Sequence, residues 1–257
     1  MTESVIDIAL VFPELLGTYG DSGNGHIVAA RAAWRGLSVD LVDVHAGDRF
    51  PTAADIYCLG GGEDGPQVES ADRLASGALA RAVARGATVL AVCAGYQIAG
   101  VAFPDADGRP QTGLGLLDVT TAKGPGLRAV GEMLADVTAG PDRTTALRVG
   151  TLTGFENHGG VTRLGPDAAP LAQVTVGVGN GDGEGTEGAW AGRVVGTYLH
   201  GPVLARNPAL ADLLLAWATG ETPVALADEE ERALRAEQIA AAAAPVRWRR
   251  LLAARSR

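Results

Sequence analysis

The chain has 257 residues, 47% of them hydrophobic and 5% aromatic, which suits one domain, alone or with an appendage, packed mostly by Ala, Val and Leu. A net charge of −9 argues against nonspecific nucleic-acid binding as a main activity. No apolar run reaches the roughly 18 residues that a spanning helix needs, no basic leader precedes an apolar run, and the two cysteines, Cys58 and Cys93, make no disulfide or zinc framework. These features predict a cytoplasmic protein with reduced thiols, not an integral membrane protein.

Residues 4–12 read as a first strand, followed by a helix over 25–35 with Asn24 as its N-cap. Strands are predicted over 38–44 and 55–59, then a helix over 70–85 with Leu74, Leu79 and Val83 on its apolar stripe and Gly86 as its stop. Residues 87–92 (ATVLAV) form a short continuous apolar run, as a buried parallel strand requires. This alternation predicts a mostly parallel sheet covered by helices on both faces. The middle changes character: strands over 116–121, 129–137, 146–154 and 171–178 point to an antiparallel extension of that sheet. A Gly-rich connection over 177–188, a buried strand over 193–199, a helix over 203–219 and an Ala-rich helix over 228–243 complete the chain. Residues 245–257 carry five Arg and no acid, which reads equally as a docking element or as a solvated helix.

Cys93 follows the 87–92 strand and precedes a helix, an elbow that exposes its side chain at the C-terminal edge of the sheet, where open α/β sheets bind ligands. A helix N-terminus favours the thiolate, which attacks carbonyl carbons well. Cys58 lies inside a strand and fits the inert buried cysteine that is the commoner fate of a lone Cys. Of four histidines, His200 ends a strand at the same kind of edge and is the candidate base. His158, in the cluster GFENHGG over 154–160, is its competitor; His26 and His45 read as surface residues. Pro202 stands two residues after His200 and no acid lies between 201 and 211, so an orienting acid is absent, comes from elsewhere in the chain, or comes from another polypeptide. The loop Gly60-Gly61-Gly62 also follows a strand. Its amides near Gly61, with the amide of Ala94, are candidate oxyanion donors. There is no Walker-A loop, and no metal site is expected.

The run Cys93-Ala94-Gly95-Tyr96-Gln97, the strand-end His200-Gly201 and the upstream glycine loop resemble class I glutamine amidotransferases, in the branch that holds the cobyric acid synthase glutaminase domains. Within it, residues 13–24 (PELLGTYGDSGN) and 154–160 resemble the GatD-type subunit of lipid II isoglutaminyl synthase. The resemblance covers about residues 5–220 and implies a three-layer class I fold over 1–222, leaving 223–257 as a helical appendage. It implies that Cys93 and His200 hydrolyse L-glutamine to glutamate and ammonia, with Gly61, Ala94 and Gln97 lining the substrate site and Arg128 holding the substrate carboxylate. No cofactor is expected in this chain. ATP and Mg²⁺ are expected on a Mur-ligase-like synthetase partner of the MurT type, which forms a heterodimer with the glutaminase and uses the ammonia to amidate D-glutamate in lipid II. Many class I relatives carry an acid where this chain has Pro202; GatD-type members resemble this chain in lacking it, and an acid supplied by the partner is the natural expectation. Glutaminase for a corrinoid-type synthetase, a non-catalytic docking module and a cysteine peptidase are the rival readings.

Overall fold

The computed structural model describes residues 5–137 and 148–244. The basic segment 245–257 lies outside the described residues, as do 146–147 of one predicted strand.

The central sheet has six strands in the order β13-β14-β4-β3-β1-β2. Five of them, β1 (Ile6–Val11), β2 (Val39–Val44), β3 (Ile56–Leu59), β4 (Thr88–Val92) and β14 (Val194–Thr197), pair in parallel, and β13 (Ala189–Ala191) adds an antiparallel edge. Every residue of β3, β4 and β14 is buried. Alternate side chains of a strand point to opposite faces, so full burial means that both faces are covered. Helix α1 (Gly23–Ala33) packs against β1, β2 and β3, and against α5 (Val203–Arg206) and α6 (Pro208–Thr219). Helix α4 (Ala94–Ala99) packs against β3, β4 and β14, with α2 (Asp64–Leu74) beside it.

The middle of the chain does not extend this sheet. It forms two further four-stranded sheets. One joins β5 (Ala102–Pro104), β6 (Pro110–Thr112), β7 (Val119–Lys123) and β10 (Gly160–Leu164). The other joins β8 (Ala129–Asp136), β9 (Thr151–His158), β11 (Ala172–Val176) and β12 (Thr186–Glu187). The strand predicted over 146–154 lies further on, at Thr151–His158, because antiparallel pairing with β8 from Asp136↔Thr151 to Ala129↔His158 draws the polar cluster into the ladder.

Three helix predictions change for local reasons. The 70–85 helix is two, α2 and α3 (Ala78–Ala84), separated at Gly77, whose φ of 71° no continuous helix tolerates. The 203–219 helix breaks at Asn207, whose side chain bonds both the N–H and the C=O of Thr153 in β9, and Pro208 opens the next helix. Asn24 is not an N-cap: it lies inside α1, buried, accepting from the Leu204 N–H at 3.0 Å and donating to the Asp21 carbonyl at 3.0 Å. Helix α7 (Glu229–Ala243) buries none of its residues. It is anchored through Arg31 of α1, 2% exposed, which pairs with Asp212 at 2.7 Å and with Asp228 at 2.9 Å.

Candidate active site

Four loops that follow neighbouring parallel strands meet at one edge of the central sheet. The loop after β1 brings Asp21, that after β3 brings Gly60–Gly62, the elbow after β4 brings Cys93, and the residues after β14 bring His200.

Cys93 sits at φ 50°, ψ −104°, a conformation that non-glycine residues rarely hold and that the surrounding structure must over-determine. Two hydrogen bonds do so. The Cys93 N–H donates to the Thr197 carbonyl at 2.8 Å, and the Gly95 N–H to the Gly60 carbonyl at 3.0 Å. A Cβ on Gly95 would stand 2.7 Å from the Leu59 carbonyl oxygen, so only glycine lets α4 start this close to the loop. Cys58, inside β3, is buried, and burial pushes its thiol up to about 12. That keeps it a thiol.

His200 is fully buried. Its backbone N–H donates to the Phe155 carbonyl at 2.8 Å, and its ring packs against Phe155, stacked at 5.4 Å, and against Tyr19, edge to face at 4.9 Å. Nδ1 is 2.8 Å from Oδ2 of Asp21, also buried. The opposite nitrogen, Nε2, has no hydrogen-bond partner among the described residues. Burial by itself would lower the imidazole's pKa, but the hydrogen bond to Asp21 and the charges of Cys93 and Asp21 outweigh it and raise the group to about 9. Among the four histidines, His200 is thus the one tied electrostatically to Cys93 on one side and to a carboxylate on the other. His158 instead stacks on Tyr198 at 3.8 Å, with Nδ1 3.1 Å from the Gly160 carbonyl, and forms pocket wall. His26 and His45 are exposed.

Asp21 was not singled out from the sequence, where one carboxylate among 30 acidic residues has no mark beyond standing in the loop that follows a buried strand. Of the sources the sequence left open, the structure shows an acid elsewhere in this chain beside His200.

The oxyanion donors need one revision. The Gly61 N–H donates to Oδ2 of Asp21 at 2.9 Å and is not free for substrate. The Gly62 and Ala94 amides make no hydrogen bond among the described residues. The two residues adjoin, since a Cβ on Gly62 would lie 3.8 Å from Cβ of Ala94. The pair of free amides is therefore Gly62 and Ala94.

Both residues line a cavity of about 320 Å³ with Cys93, Gln97, Arg128 and His158. Gln97 is buried with its amide engaged at both ends, accepting from Gln67 Nε2 at 2.8 Å and donating to the Tyr198 hydroxyl at 3.1 Å. It shapes the floor of the cavity. Arg128, in the segment before β8, is exposed, and Asn157 holds its guanidinium through its side-chain and backbone oxygens at 3.0 and 2.9 Å. A cysteine at a sheet edge, a buried histidine coupled to it by charge, and two free amides and a cation on the cavity beside them are the groups that acyl transfer on a small anionic amide requires.

Residues 7–208 match the CobB/CobQ-like glutamine amidotransferase domain. The lipid II isoglutaminyl synthase (glutamine-hydrolyzing) subunit GatD of Staphylococcus aureus is 34% identical over 203 residues, covering 78% of this chain and 79% of that protein. Its counterpart from Streptococcus pneumoniae is 34% identical over 217 residues, covering 83% and 80%. Among solved structures, a glutamine amidotransferase from Thermotoga maritima superposes with a TM-score of 0.52 at 15% identity, covering 93% of this chain and 90% of that one, and shares the fold. The chain belongs to the class I glutamine amidotransferases, in the CobB/CobQ-like branch and with the GatD-type subunits.

Proposed function

We propose that this chain is the glutaminase subunit of a lipid II isoglutaminyl synthase, hydrolysing L-glutamine to glutamate and ammonia for a Mur-ligase-like, ATP-dependent synthetase of the MurT type. The observation that carries the reading is the elbow cysteine coupled to a buried, strand-end histidine beside a cavity with two free amides. Likeness to two GatD subunits over most of both chains supports the acceptor, D-glutamate of the lipid II stem peptide, and the heterodimer.

The chemistry follows from the groups available. Arg128 pairs with the α-carboxylate of glutamine and sets its side-chain amide over Cys93. Cys93 first yields its proton to Nε2 of His200, whose imidazolium Asp21 stabilises, and Sγ then attacks the amide carbon. The Gly62 and Ala94 N–H groups donate hydrogen bonds to the developing oxyanion. The C–N bond then breaks, His200 protonates the leaving nitrogen, and ammonia departs from a glutamyl thioester. Water, deprotonated by His200, attacks the thioester carbon, and glutamate leaves as Cys93 regains its proton.

The test is glutamine hydrolysis by the full chain with and without the synthetase. Cys93→Ala is expected to abolish it, and full activity in that variant would sink the reading. A second reading, glutaminase for a corrinoid-type synthetase, draws on 39% identity over 180 residues to a cobyric acid synthase of Methylobacterium nodulans; this chain matches only 32% of that protein. The ligase that co-purifies with the chain separates the two.

A further inference from the structure

Tyr19, in the loop after β1, keeps its side chain where the backbone disfavours one. It lies at φ 60°, in the left-handed region that L residues rarely adopt, and Gly20 beside it, at 78°, is the residue type such a turn usually takes. Thr18 pins this stretch to the glycine loop, its N–H donating to the Gly61 carbonyl at 3.1 Å. The Tyr19 ring is exposed, yet it packs edge to face against both His200, at 4.9 Å, and Phe155, at 5.4 Å. Its hydroxyl oxygen accepts from Nδ2 of Asn157. At the other end of that amide, Oδ1 accepts from Nε of Arg128 at 3.0 Å, and the Asn157 carbonyl accepts from Nη2 at 2.9 Å. A guanidinium only donates, so it fixes which way the amide turns and leaves Nδ2 to the tyrosine hydroxyl. Phe155 and Asn157 stand two apart on β9 and share one face of it. That face bears both the ring stacked on His200 and the amide that joins Tyr19 to Arg128.

We propose that Tyr19 is a positioning residue that, through the Asn157 amide, holds Arg128 in register with His200. This proposal rests on the glutaminase reading, in which Arg128 takes the α-carboxylate of glutamine and His200 serves Cys93. Glutamine joins its α-carboxylate to its side-chain amide by a fixed number of bonds, so that amide meets Cys93 only if the arginine and the catalytic pair keep a set separation. Tyr19 supplies the link, because its ring lies on His200 and its hydroxyl meets the side chain that holds the guanidinium. An amide suits the middle of the link for two reasons. It donates on one side and accepts on the other, which a carboxylate cannot do. Its oxygen is also neutral, so it fixes the guanidinium without cancelling the charge that the substrate carboxylate pairs with.

The experiment measures glutamine hydrolysis by the full chain with its synthetase, in a double-mutant cycle between Tyr19→Phe and Arg128→Ala. Tyr19→Phe keeps the ring on His200 and removes only the hydroxyl. It is expected to raise KM for glutamine about three- to tenfold, with kcat changed less, as the loss of one hydrogen bond that orders a binding group should. Added to Arg128→Ala, the same change is expected to leave kcat/KM where Arg128→Ala alone puts it, because the hydroxyl acts only through the arginine. Equal losses in the two backgrounds would show a merely structural role and overturn the proposal, as would a wild-type KM in Tyr19→Phe. Asn157→Asp is an independent check that preserves the shape of the side chain. It places a negative charge on the guanidinium and cannot donate to the hydroxyl, so KM is expected to rise at least about tenfold, and a wild-type KM there also overturns the proposal. A wild-type complex that hydrolyses no glutamine brings down the glutaminase reading and this proposal with it, whereas wild-type turnover with an additive cycle brings down the proposal alone.

Discussion

The backbone of Gly61 runs so close to the His200 imidazole that a methyl group on it would stand 2.7 Å from Cε1. The ring cannot yield toward Phe155, which stacks on it, without leaving Asp21. Gly61→Ala is therefore expected to displace the base by a few tenths of an ångström or more and to lower kcat about 100-fold, with the melting temperature changed little. Steady-state kinetics beside a thermal melt check this; a variant with full kcat would mean that the loop relaxes freely.

Arg128 is held by Asn157 at two points before any substrate arrives, so little rotamer entropy remains to be lost on binding. Arg128→Ala is expected to raise KM for glutamine at least tenfold while changing kcat less. Arg128→Lys should recover little, because a lysine cannot pair bidentately with a carboxylate. Saturation curves for the three proteins test it, and a KM unchanged in Arg128→Ala would remove the arginine from the binding site.

Glu187 of β12 is buried behind the strand that leads to His200. Burial pushes its carboxyl up to about 7, against the opposing hydrogen bonds from the Thr197 hydroxyl and the Tyr198 N–H and the charge of His158. The native state therefore holds a proton that the unfolded chain releases near 4.5. Its contribution to stability is full below that value and is lost as pH rises through about 7. Glu187→Gln should cancel this slope, which reaches at most about 1.4 kcal/mol per pH unit, and should be more stable than wild type above pH 7. Denaturant melts at a series of pH values decide it: parallel profiles would mean that Glu187 is ionised in the folded protein.

Much of this was legible along the chain. The alternation of short apolar runs with helical stripes is a local property, and it located the five parallel strands of the central sheet to within a few residues but not the short edge strand β13. The position of Cys93 between a buried strand and a helix, and of His200 at a strand end, follow from the same pattern. The middle strands were harder, because antiparallel pairing is settled between distant segments: β9 is eight residues long because β8 is, and it absorbs a polar cluster that reads as a loop on its own.

The sequence by itself marked the candidate nucleophile, the candidate base and the glycine loop, because each stands at the end of a local element. Only the tertiary structure decided which acid meets His200 and which amide stays free for the substrate. Asp21 lies 179 residues from His200 and 40 from Gly61, and no periodicity links them. The parallel order of β14, β4, β3 and β1 brings their C-terminal ends together, and the packing of the loop after β1 then turns one carboxylate oxygen toward both.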